Sequence, residues 1–312
     1  MARFAPDEMA RALGKSLLAF PITPFNDDLT IDHAAYGEHL TWLLGNQPGG
    51  IFAAGGTGEF FSLSVDEVEK IVSTTVAVVD GRVPVLAPVG CGYGTARELV
   101  MRAERAGADG ILLFPPYLAL PSQEGLANHI EAVCKATSLG VVVYNRDNAT
   151  LDHRTVAELC ARCPNLVGLK DGVGDIENMV RIEAALGDRL LLVGGLPTAE
   201  LFALPYLTMG VTTYSSALFN FMPNFARGFY RAVRARDVEA VSKGLADFIL
   251  PYTAIRNRGQ GYAVSIVKAG ARLVGRPSGP VRPPLTDLDE RSLADLKALI
   301  ASVGDRELEV AS

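Results

Sequence analysis

The sequence predicts an α/β fold, a closed (β/α)8 barrel of the TIM type with a C-terminal helical extension. Three observations lead to this prediction. Short apolar, β-rich runs alternate eight times with longer segments of helical period. The runs are continuously apolar, as expected of parallel strands that helices cover on both faces. No linker or low-complexity segment interrupts the eight units, which favours a closed barrel over an open doubly wound sheet.

The individual elements follow from these runs and from the residues between them. The eight predicted strands are 17–20, 50–54, 83–88, 110–114, 141–144, 166–170, 190–193 and 211–214. Ser64 with Glu67, and Thr95 with Glu98, have the capping-box spacing, and each pair predicts the start of a helix. Other helices have single side chains suited to cap their N-termini, namely Asp32, Ser122, Asp152, Asp175 and Thr198.

The chain after the eighth predicted strand has a helical pattern. The predicted helices are 222–235, 238–255, 263–274 and 292–303, and a proline-rich connector spans 276–285. We therefore divide the chain into a barrel catalytic domain, residues 15–237, and a C-terminal helical region, residues 238–312.

Composition narrows the class of protein. The chain has 312 residues, 49% of them hydrophobic, which is enough for a large core. A net charge of −6 argues against nucleic acid or an anionic membrane as a partner. The apolar runs are too short to span a membrane, and residues 1–14 lack the apolar core of a signal peptide. The few scattered cysteines are typical of a reducing compartment, so we expect a cytoplasmic protein.

We expect no metal site. Cys160 and Cys163 lie late in a helical segment without a second such pair, so helix packing is favoured over metal binding or redox work. The four histidines fall on predicted polar helix faces or caps and form no ligand pair with these cysteines: His33, His39, His129 and His153.

Lys170 ends the sixth predicted strand, just before a glycine-containing loop. Burying an ammonium is costly, and desolvation lowers the pKa of a lysine toward the range where its neutral amine attacks a carbonyl. Schiff-base chemistry is therefore our hypothesis for Lys170. The alternative is a strand-end lysine that reaches out to pair with Asp171. We expect the other six lysines at surface or helical positions.

The C-terminal ends of the strands are where a (β/α)8 barrel places its chemistry. That rule brings Thr57, Tyr144, Lys170, Gly195 and Ser215 to one mouth of the barrel. Tyr144 is a candidate proton relay for Schiff-base formation, or else a core tyrosine with a satisfied hydroxyl. Ser215 either holds substrate hydroxyls or only ends its strand.

The run Gly-Gly-Thr-Gly at 55–58 offers backbone N–H groups and a hydroxyl. Such a loop can hold a carboxylate or a phosphate without an arginine. The alternative is a tight turn, which explains the glycines but not Thr57. It is not a dinucleotide-binding fingerprint, because the G-x-G-x-x-G spacing is absent. Glu59, which follows the run, is left unassigned.

Three motifs together resemble the dihydrodipicolinate synthase/N-acetylneuraminate lyase family of class I Schiff-base lyases. They are Gly-Gly-Thr-Gly-Glu at 55–59, Tyr-Asn at 144–145 and Gly-Leu-Lys-Asp at 168–171. The resemblance covers roughly residues 14–275 and implies a (β/α)8 barrel with a helical C-terminal region.

The resemblance also implies roles for single residues. Lys170 would form the imine, and Tyr144 would act as acid and base. Thr57 would link Tyr144 to a tyrosine of a neighbouring subunit, a position that Tyr117 matches. Members of the family are usually homotetramers built as dimers of dimers, so we expect a homo-oligomer.

The chain departs from the synthase pattern in two places. In the synthases, an arginine that binds the second substrate occupies the position of Ala149 in this chain. Gly56 replaces the first threonine of the usual Gly-Thr-Thr-Gly. The run Tyr-Asn-Arg-Asp-Asn-Ala at 144–149, with the segments 114–117 and 213–217, resembles the 5-dehydro-4-deoxyglucarate dehydratase subgroup instead.

This second resemblance implies a substrate and a reaction. A small 2-oxo sugar acid, 5-dehydro-4-deoxy-D-glucarate, would lose water and carbon dioxide through a lysine Schiff base and leave 2,5-dioxopentanoate. The imine is the electron sink, so no organic cofactor and no metal is required. Gly56 and Thr57 would bind the carboxylate beside the ketone, and Asn145 or Arg146 the distal carboxylate or hydroxyls. Gly195 and Ser215 complete the expected substrate-binding set.

Two alternatives remain open at this stage. One is an aldolase on the same scaffold that splits a 2-oxo acid to pyruvate or joins pyruvate to an aldehyde. The other is a barrel without catalytic activity that binds a sugar acid as a sensor, because a fold alone does not fix a function.

Overall fold

Eight parallel strands form a closed barrel in the computed structural model, which describes residues 2–308. The strands are β1 (Leu18–Ala19), β2 (Gly50–Phe52), β3 (Val85–Val89), β4 (Gly110–Leu113), β5 (Gly140–Asn145), β6 (Leu166–Asp171), β7 (Leu191–Gly194) and β8 (Thr213–Ser216). Each strand pairs with the next in the chain, and β8 closes the barrel against β1. The predicted (β/α)8 barrel is confirmed.

The barrel is surrounded and extended by helices. They are α1 (Pro6–Leu13), α2 (His33–Gly45), α3 (Val65–Val79), α4 (Tyr93–Ala106), α5 (Gln123–Lys135), α6 (His153–Arg162), α7 (Ile176–Leu186), α8 (Ala203–Leu207), α9 (Pro223–Ala235), α10 (Val238–Gly244), α11 (Leu250–Arg256), α12 (Tyr262–Leu273) and α13 (Glu290–Val303). A π-helical turn, Leu245–Ile249, joins α10 to α11 without a break.

The four helices predicted after the eighth strand are all present, and the second of them corresponds to α10, the π-turn and α11 together. Buried side chains of α11 and α12 belong to the same hydrophobic core as those of the barrel helices. The described part of the predicted C-terminal region 238–312, residues 238–308, therefore packs directly on the barrel. The last four residues of this region, like Met1, lie outside the described part of the chain.

Most predicted helix starts are confirmed. Ser64 and Glu67 form the reciprocal capping box of α3. Four more predicted caps are confirmed, because each side chain accepts a hydrogen bond from the backbone N–H three residues further along the chain: Asp32, Ser122, Asp152 and Asp175. The predicted box at Thr95 is wrong, because α4 begins at Tyr93 and its cap is Gly92, three residues before Thr95. Thr198 precedes only a short 3-10 turn and makes no side-chain cap there.

Two further expectations are corrected by the structure. The eighth strand begins at Thr213 rather than at 211, because the N–H of Val211 donates to the carbonyl of Tyr206 in the preceding turn. His39 is not on a polar face. It is fully buried, and its Nε2 lies 2.9 Å from Oδ1 of Asn220, so its ring belongs to the core.

The N-terminal helix α1 closes the bottom of the barrel, a role that the sequence did not suggest. Met9 and Leu13 are fully buried and join the cluster of inward-facing strand residues. Gly110 and Gly140 make room for this helix, since a Cβ on either would fall within 2.5 Å of the Met9 side chain. The cavity of the barrel is therefore confined to its opposite, C-terminal end.

Within residues 2–308, no helix has the length and apolar character required to cross a lipid bilayer.

Candidate active site

A cavity of about 500 Å³ lies at the C-terminal ends of the strands. The barrel contributes Thr57, Tyr144, Lys170 and Ser215 to its wall. The C-terminal region contributes side chains of α11 and α12, among them Arg256. The mouth predicted from the strand ends is therefore a real cavity, and the C-terminal helices form part of its wall.

Lys170 and Tyr144 are neighbours because β5 and β6 pair them in register. Both side chains point into the barrel, and Lys170 is 5% exposed. Its Nζ lies 3.7 Å from the centre of the Tyr144 ring and 4.9 Å from that of Phe20. An ammonium over aromatic faces gains some cation–π stabilisation but lacks the hydration it would have in water. The lysine is thus held against the phenol at the floor of the cavity.

Asp171 faces the other way, because successive strand residues alternate sides. Its carboxylate accepts hydrogen bonds from the Tyr206 hydroxyl, at 2.8 Å, and from the N–H groups of Val173 and Gly174. These bonds hold the loop after β6. The structure therefore does not show the strand-end pairing of Lys170 with Asp171 that was the alternative reading of this lysine.

The two central side chains have shifted proton affinities. Burial lowers the pKa of the Lys170 amine, and this outweighs the opposing effect of the Tyr144 phenol. Burial raises the pKa of Tyr144, but the charges of Lys170 and Arg146 lower it by more, so the net pKa falls below its ordinary value. The first shift favours a neutral amine, which is the form that attacks a carbonyl, and the second favours a phenol that gives up its proton readily.

Arg146 and Gly195 hold the Tyr144 hydroxyl in place. The hydroxyl donates to the carbonyl oxygen of Gly195 at 3.0 Å and accepts from Nη1 of Arg146 at 3.0 Å. Arg146 also forms an ion pair with Asp147, with Nε 3.1 Å from Oδ2. The phenol is therefore fixed on two sides, with a positive charge beside its oxygen.

Gly56 and Thr57 lie in the cavity wall, and the loop that carries them is anchored from behind. The Thr23 hydroxyl donates to the carbonyl of Gly58 at 2.7 Å. Glu59, at the end of the loop, is fully buried in the left-handed backbone region with φ of 62°. These contacts anchor the loop whose Gly56 and Thr57 line the cavity.

The partner of Glu59 was not foreseen. Lys268 of α12, expected at an ordinary helical position, is fully buried, and its Nζ lies 2.7 Å from the Glu59 carboxylate. The backbone N–H of Arg282 donates to the other carboxylate oxygen at 2.9 Å. The sequence held one signal, a glutamate directly after a glycine loop, but nothing that pointed to its partner.

The remaining predicted residues fall into two groups. Gly195 and Ser215 line the cavity, and the Ser215 hydroxyl donates to the carbonyl of Gly194 at 3.4 Å. Asn145 does not reach the cavity. It points outward with Asp171, and its amide oxygen accepts from the N–H of Leu151 at 2.7 Å. Asn145 therefore holds β5, β6 and the following loop together.

Tyr117 lies on the loop after β4, at the outer rim of the cavity, and is 73% exposed. Within the described single chain, the hydroxyl of Tyr144 bonds to Gly195 and Arg146 rather than to Thr57 or Tyr117. The Thr57 part of the expected link is therefore not formed in this structure. The Tyr117 part was expected from a neighbouring subunit and stays a prediction.

Two polar residues of the wall were missed from the sequence. Arg256 and Thr198 both line the cavity, and Nη1 of Arg256 donates to the Thr198 hydroxyl. Arg256 lies in α11, whose position on the barrel no sequence pattern indicated. No group of three or more His, Cys, Asp or Glu side chains in residues 2–308 is arranged to hold a metal ion.

Comparison with known proteins agrees with this geometry. Residues 14–303 match the dihydrodipicolinate synthetase family. A protein of Methylobacterium radiotolerans named probable 5-dehydro-4-deoxyglucarate dehydratase is 62% identical over 306 residues, covering 98% of this chain and 100% of that protein. A protein of the same name from Bradyrhizobium diazoefficiens is 60% identical over 300 residues, covering 96% of each.

A solved structure is similar over almost the same length. The crystal structure of dihydrodipicolinate synthase from Bacillus clausii superposes with a TM-score of 0.87 at 28% identity, covering 94% of this chain and 99% of that one. The resemblance inferred from the three motifs is confirmed. This chain belongs to the dihydrodipicolinate synthetase family.

Proposed function

We propose that this chain is a 5-dehydro-4-deoxyglucarate dehydratase, a decarboxylating carbon–oxygen lyase that works through a Schiff base on Lys170. The observation that carries the proposal is the buried Lys170 amine, with Nζ 3.7 Å from the centre of the Tyr144 ring at the cavity floor. Relatives that are 62% and 60% identical bear the name of this activity.

Substrate binding begins with the carboxylate beside the ketone. The backbone N–H groups and hydroxyl of Gly56 and Thr57 bind it, because such a loop stabilises an anion without a charged side chain. The ketone carbon then lies over Lys170. Gly195 and Ser215 line the wall along the rest of the substrate.

The reaction uses the imine as an electron sink. The neutral amine of Lys170 attacks the ketone, and loss of one water leaves an iminium that acidifies the neighbouring CH₂. Removal of that proton gives an enamine, which expels the β-hydroxyl as a second water and leaves a conjugated iminium. The distal carboxylate departs as carbon dioxide, and its electron pair enters the conjugated system.

Protonation and hydrolysis complete the balance. Hydrolysis consumes one water, restores the Lys170 amine and frees 2,5-dioxopentanoate after the enol becomes an aldehyde. The net change is substrate and one proton to 2,5-dioxopentanoate, carbon dioxide and one water. The electrons stay within the substrate and the lysine imine, so the scheme includes no cofactor.

Tyr144 relays the protons of these steps. Its hydroxyl protonates the departing carbinolamine oxygen and takes part in the later proton transfers. Arg146 holds the phenol and lowers its pKa through its charge, so we assign it to Tyr144 rather than to the distal end of the substrate. Thr57 and a Tyr117 from a neighbouring copy complete the proton path.

We also propose a homotetramer, a dimer of dimers, in the cytoplasm. Two separate apolar patches support two interfaces. The first, on the loop after β4, contains Tyr117, Leu118 and Leu120, all strongly exposed. The second, in the loop before α7 and on the first turns of that helix, contains the exposed Val173, Ile176 and Val180. Patches of this kind mark surfaces that bind another protein.

Borohydride reduction with 5-dehydro-4-deoxyglucarate tests the function, read by intact and peptide mass while released carbon dioxide is measured. A stable adduct on the Lys170 peptide, together with carbon dioxide, is the expected result. K170M should show neither. An adduct formed with pyruvate but no carbon dioxide from the sugar acid would instead identify an aldolase. No adduct with either compound would favour a binding protein.

A further inference from the structure

We infer that Arg256, with Thr198 beside it, binds the distal carboxylate of the substrate and thereby selects diacids over monoacids. This inference rests on the proposed function for the identity of the substrate. It gives the C-terminal helical region a direct part in substrate recognition, because Arg256 is the last residue of α11.

The substrate has two carboxylates that need binding partners, and the glycine loop can bind only one of them. The substrate is a six-carbon chain with a carboxylate at each end, and taking a charge out of water without a partner is costly. The loop at Gly56 and Thr57 meets one carboxylate. The second needs its own cation or set of donors elsewhere in the wall.

Two arginines line the cavity, and Arg146 is already engaged. Its Nη1 is bound to the Tyr144 hydroxyl at 3.0 Å, and its Nε forms the ion pair with Asp147 at 3.1 Å. Drawing Arg146 toward a substrate carboxylate would release the phenol that the reaction depends on. Its charge is also partly balanced by the neighbouring aspartate.

Arg256 contacts neither the Tyr144 hydroxyl nor a carboxylate among the described residues. Its Nη1 donates to the Thr198 hydroxyl, while Nε and Nη2 donate to the amide oxygen of Asn257 at 3.1 and 3.0 Å. All of these acceptors are neutral. No ion pair formed within residues 2–308 includes Arg256, so its positive charge at the cavity wall is not matched by a carboxylate.

Glu200 is an acidic group on which the Arg256 charge acts, and it does not line the cavity. Its carboxyl is buried, with Oε1 accepting from the Ser216 hydroxyl, and burial raises its pKa to about 7. It is therefore only partly ionised near neutral pH. An incoming carboxylate is the group that would balance the Arg256 charge, and Thr198 adds a hydroxyl at the same point.

The position of the pair fits the other end of the substrate. Thr198 follows β7, whereas Gly56 follows β2, and β8 and β1 lie between these strands around the barrel. The two anion sites are thus on different sides of the mouth, with Lys170 of β6 below them. A chain fixed by its ketone at Lys170 would place one carboxylate at each site.

Two matched ligands isolate this contact from the rest of the reaction. 2-Oxoadipate has the length and both carboxylates of the substrate but no hydroxyls, and 2-oxohexanoate has a methyl group in place of the distal carboxylate. Both can form an imine, and neither can lose water as the substrate does. Half-saturation of borohydride trapping on Lys170 is measured for each, and calorimetric titration of 2-oxoadipate gives a second readout that needs no trapping of the imine.

We expect the unmodified chain to prefer 2-oxoadipate by about tenfold to a hundredfold, the range for a charged hydrogen-bonded contact. R256Q should lose this preference while half-saturation by 2-oxohexanoate stays unchanged, and R256K should keep part of it. R258Q is the control, because Arg258 is paired with Asp295 at 2.6 Å and is not part of the cavity wall.

Retention of the full preference by R256Q would overturn the inference, and so would its loss in R146Q but not in R256Q. Failure of the proposed function looks different. In that case the diacid preference would still depend on Arg256, but 5-dehydro-4-deoxyglucarate would release no carbon dioxide.

Discussion

The Glu59 carboxylate lies 2.7 Å from the Lys268 ammonium, and both side chains are fully buried. Lys268 also donates to the carbonyl of Pro280 at 2.7 Å, and Glu59 accepts from the N–H of Arg282. The pair therefore connects the loop that carries Gly56 with the C-terminal helices. A buried pair of this kind is weak evidence of net stabilisation, but breaking it leaves a charge without a partner.

K268M should lower the free energy of unfolding by about 3–5 kcal/mol, because it strands the Glu59 carboxylate in the core. Urea denaturation measures this change, and the double variant E59Q/K268M should recover part of the loss. R181Q is the control, since its partner Glu177 is exposed and surface pairs contribute about 0.2–1 kcal/mol. Equal effects of K268M and R181Q on the free energy of unfolding would contradict the claim that Glu59 is left as an unpaired charge in the core.

R146Q should move the acid limb of the pH dependence of kcat/KM to higher pH. The Arg146 charge lowers the pKa of both Tyr144 and Lys170, so its removal raises both. Because imine formation needs the neutral amine, activity then appears only at a higher pH. R146K, which keeps the charge, should stay close to the original profile. An unchanged or acid-shifted profile in R146Q would contradict the role assigned to this arginine.

E200Q should change how stability depends on pH. Burial raises the pKa of Glu200 to about 7, from 4.5 in an exposed chain. The folded state therefore holds this proton more tightly. Its contribution to stability is fully present below pH 4.5 and is lost as pH rises through about 7.

In E200Q, an amide replaces the protonated acid and can still accept from Ser216. The difference between the unfolding free energies of the unmodified chain and of E200Q should depend on pH. We expect the unmodified chain to lose about 3 kcal/mol against E200Q between pH 4.5 and pH 8. Urea titrations at several pH values test this, with E177Q as an exposed control. A constant difference between the two proteins across that range would be the contrary outcome.

M9A should lower the free energy of unfolding by about 2–5 kcal/mol, because Met9 is fully buried at the barrel floor and alanine leaves a cavity there. M101A is the matched control, since Met101 is 59% exposed. Where M9A remains folded, kcat should be unchanged, because Met9 lies at the N-terminal end of the barrel and Lys170 lines the cavity at the C-terminal ends of the strands. A small effect on stability with a large effect on kcat would mean that α1 acts on the site.

The sequence predicted the barrel well because its strands are continuously apolar and buried on both faces. The same pattern placed Tyr144 and Lys170, since a strand end fixes both the position and the side of a residue. Asn145 shows the limit of that reasoning. It is the very next residue after Tyr144, and alternation along the strand turned it away from the cavity.

What the sequence did not reveal depends on contacts between distant segments. Lys268 and Arg256 lie on helices whose periodicity shows that a face is buried, but not what that face meets. The burial of His39 was missed for the same reason, because its partner Asn220 comes from the segment after β8. A polar residue on a helix is assigned to the surface by default, and only the packing of the whole chain shows that it has a buried partner.

Because α1 closes the bottom of the barrel, reactants and products have to share one opening. Within the described chain, Met9 and Leu13 fill the lower end, so the cavity opens on one side only. In the proposed reaction, the substrate, the water it loses, the carbon dioxide and the water that hydrolyses the final iminium all use the same passage. Outgoing gas and incoming water must pass each other there, and whatever covers that one opening controls all four.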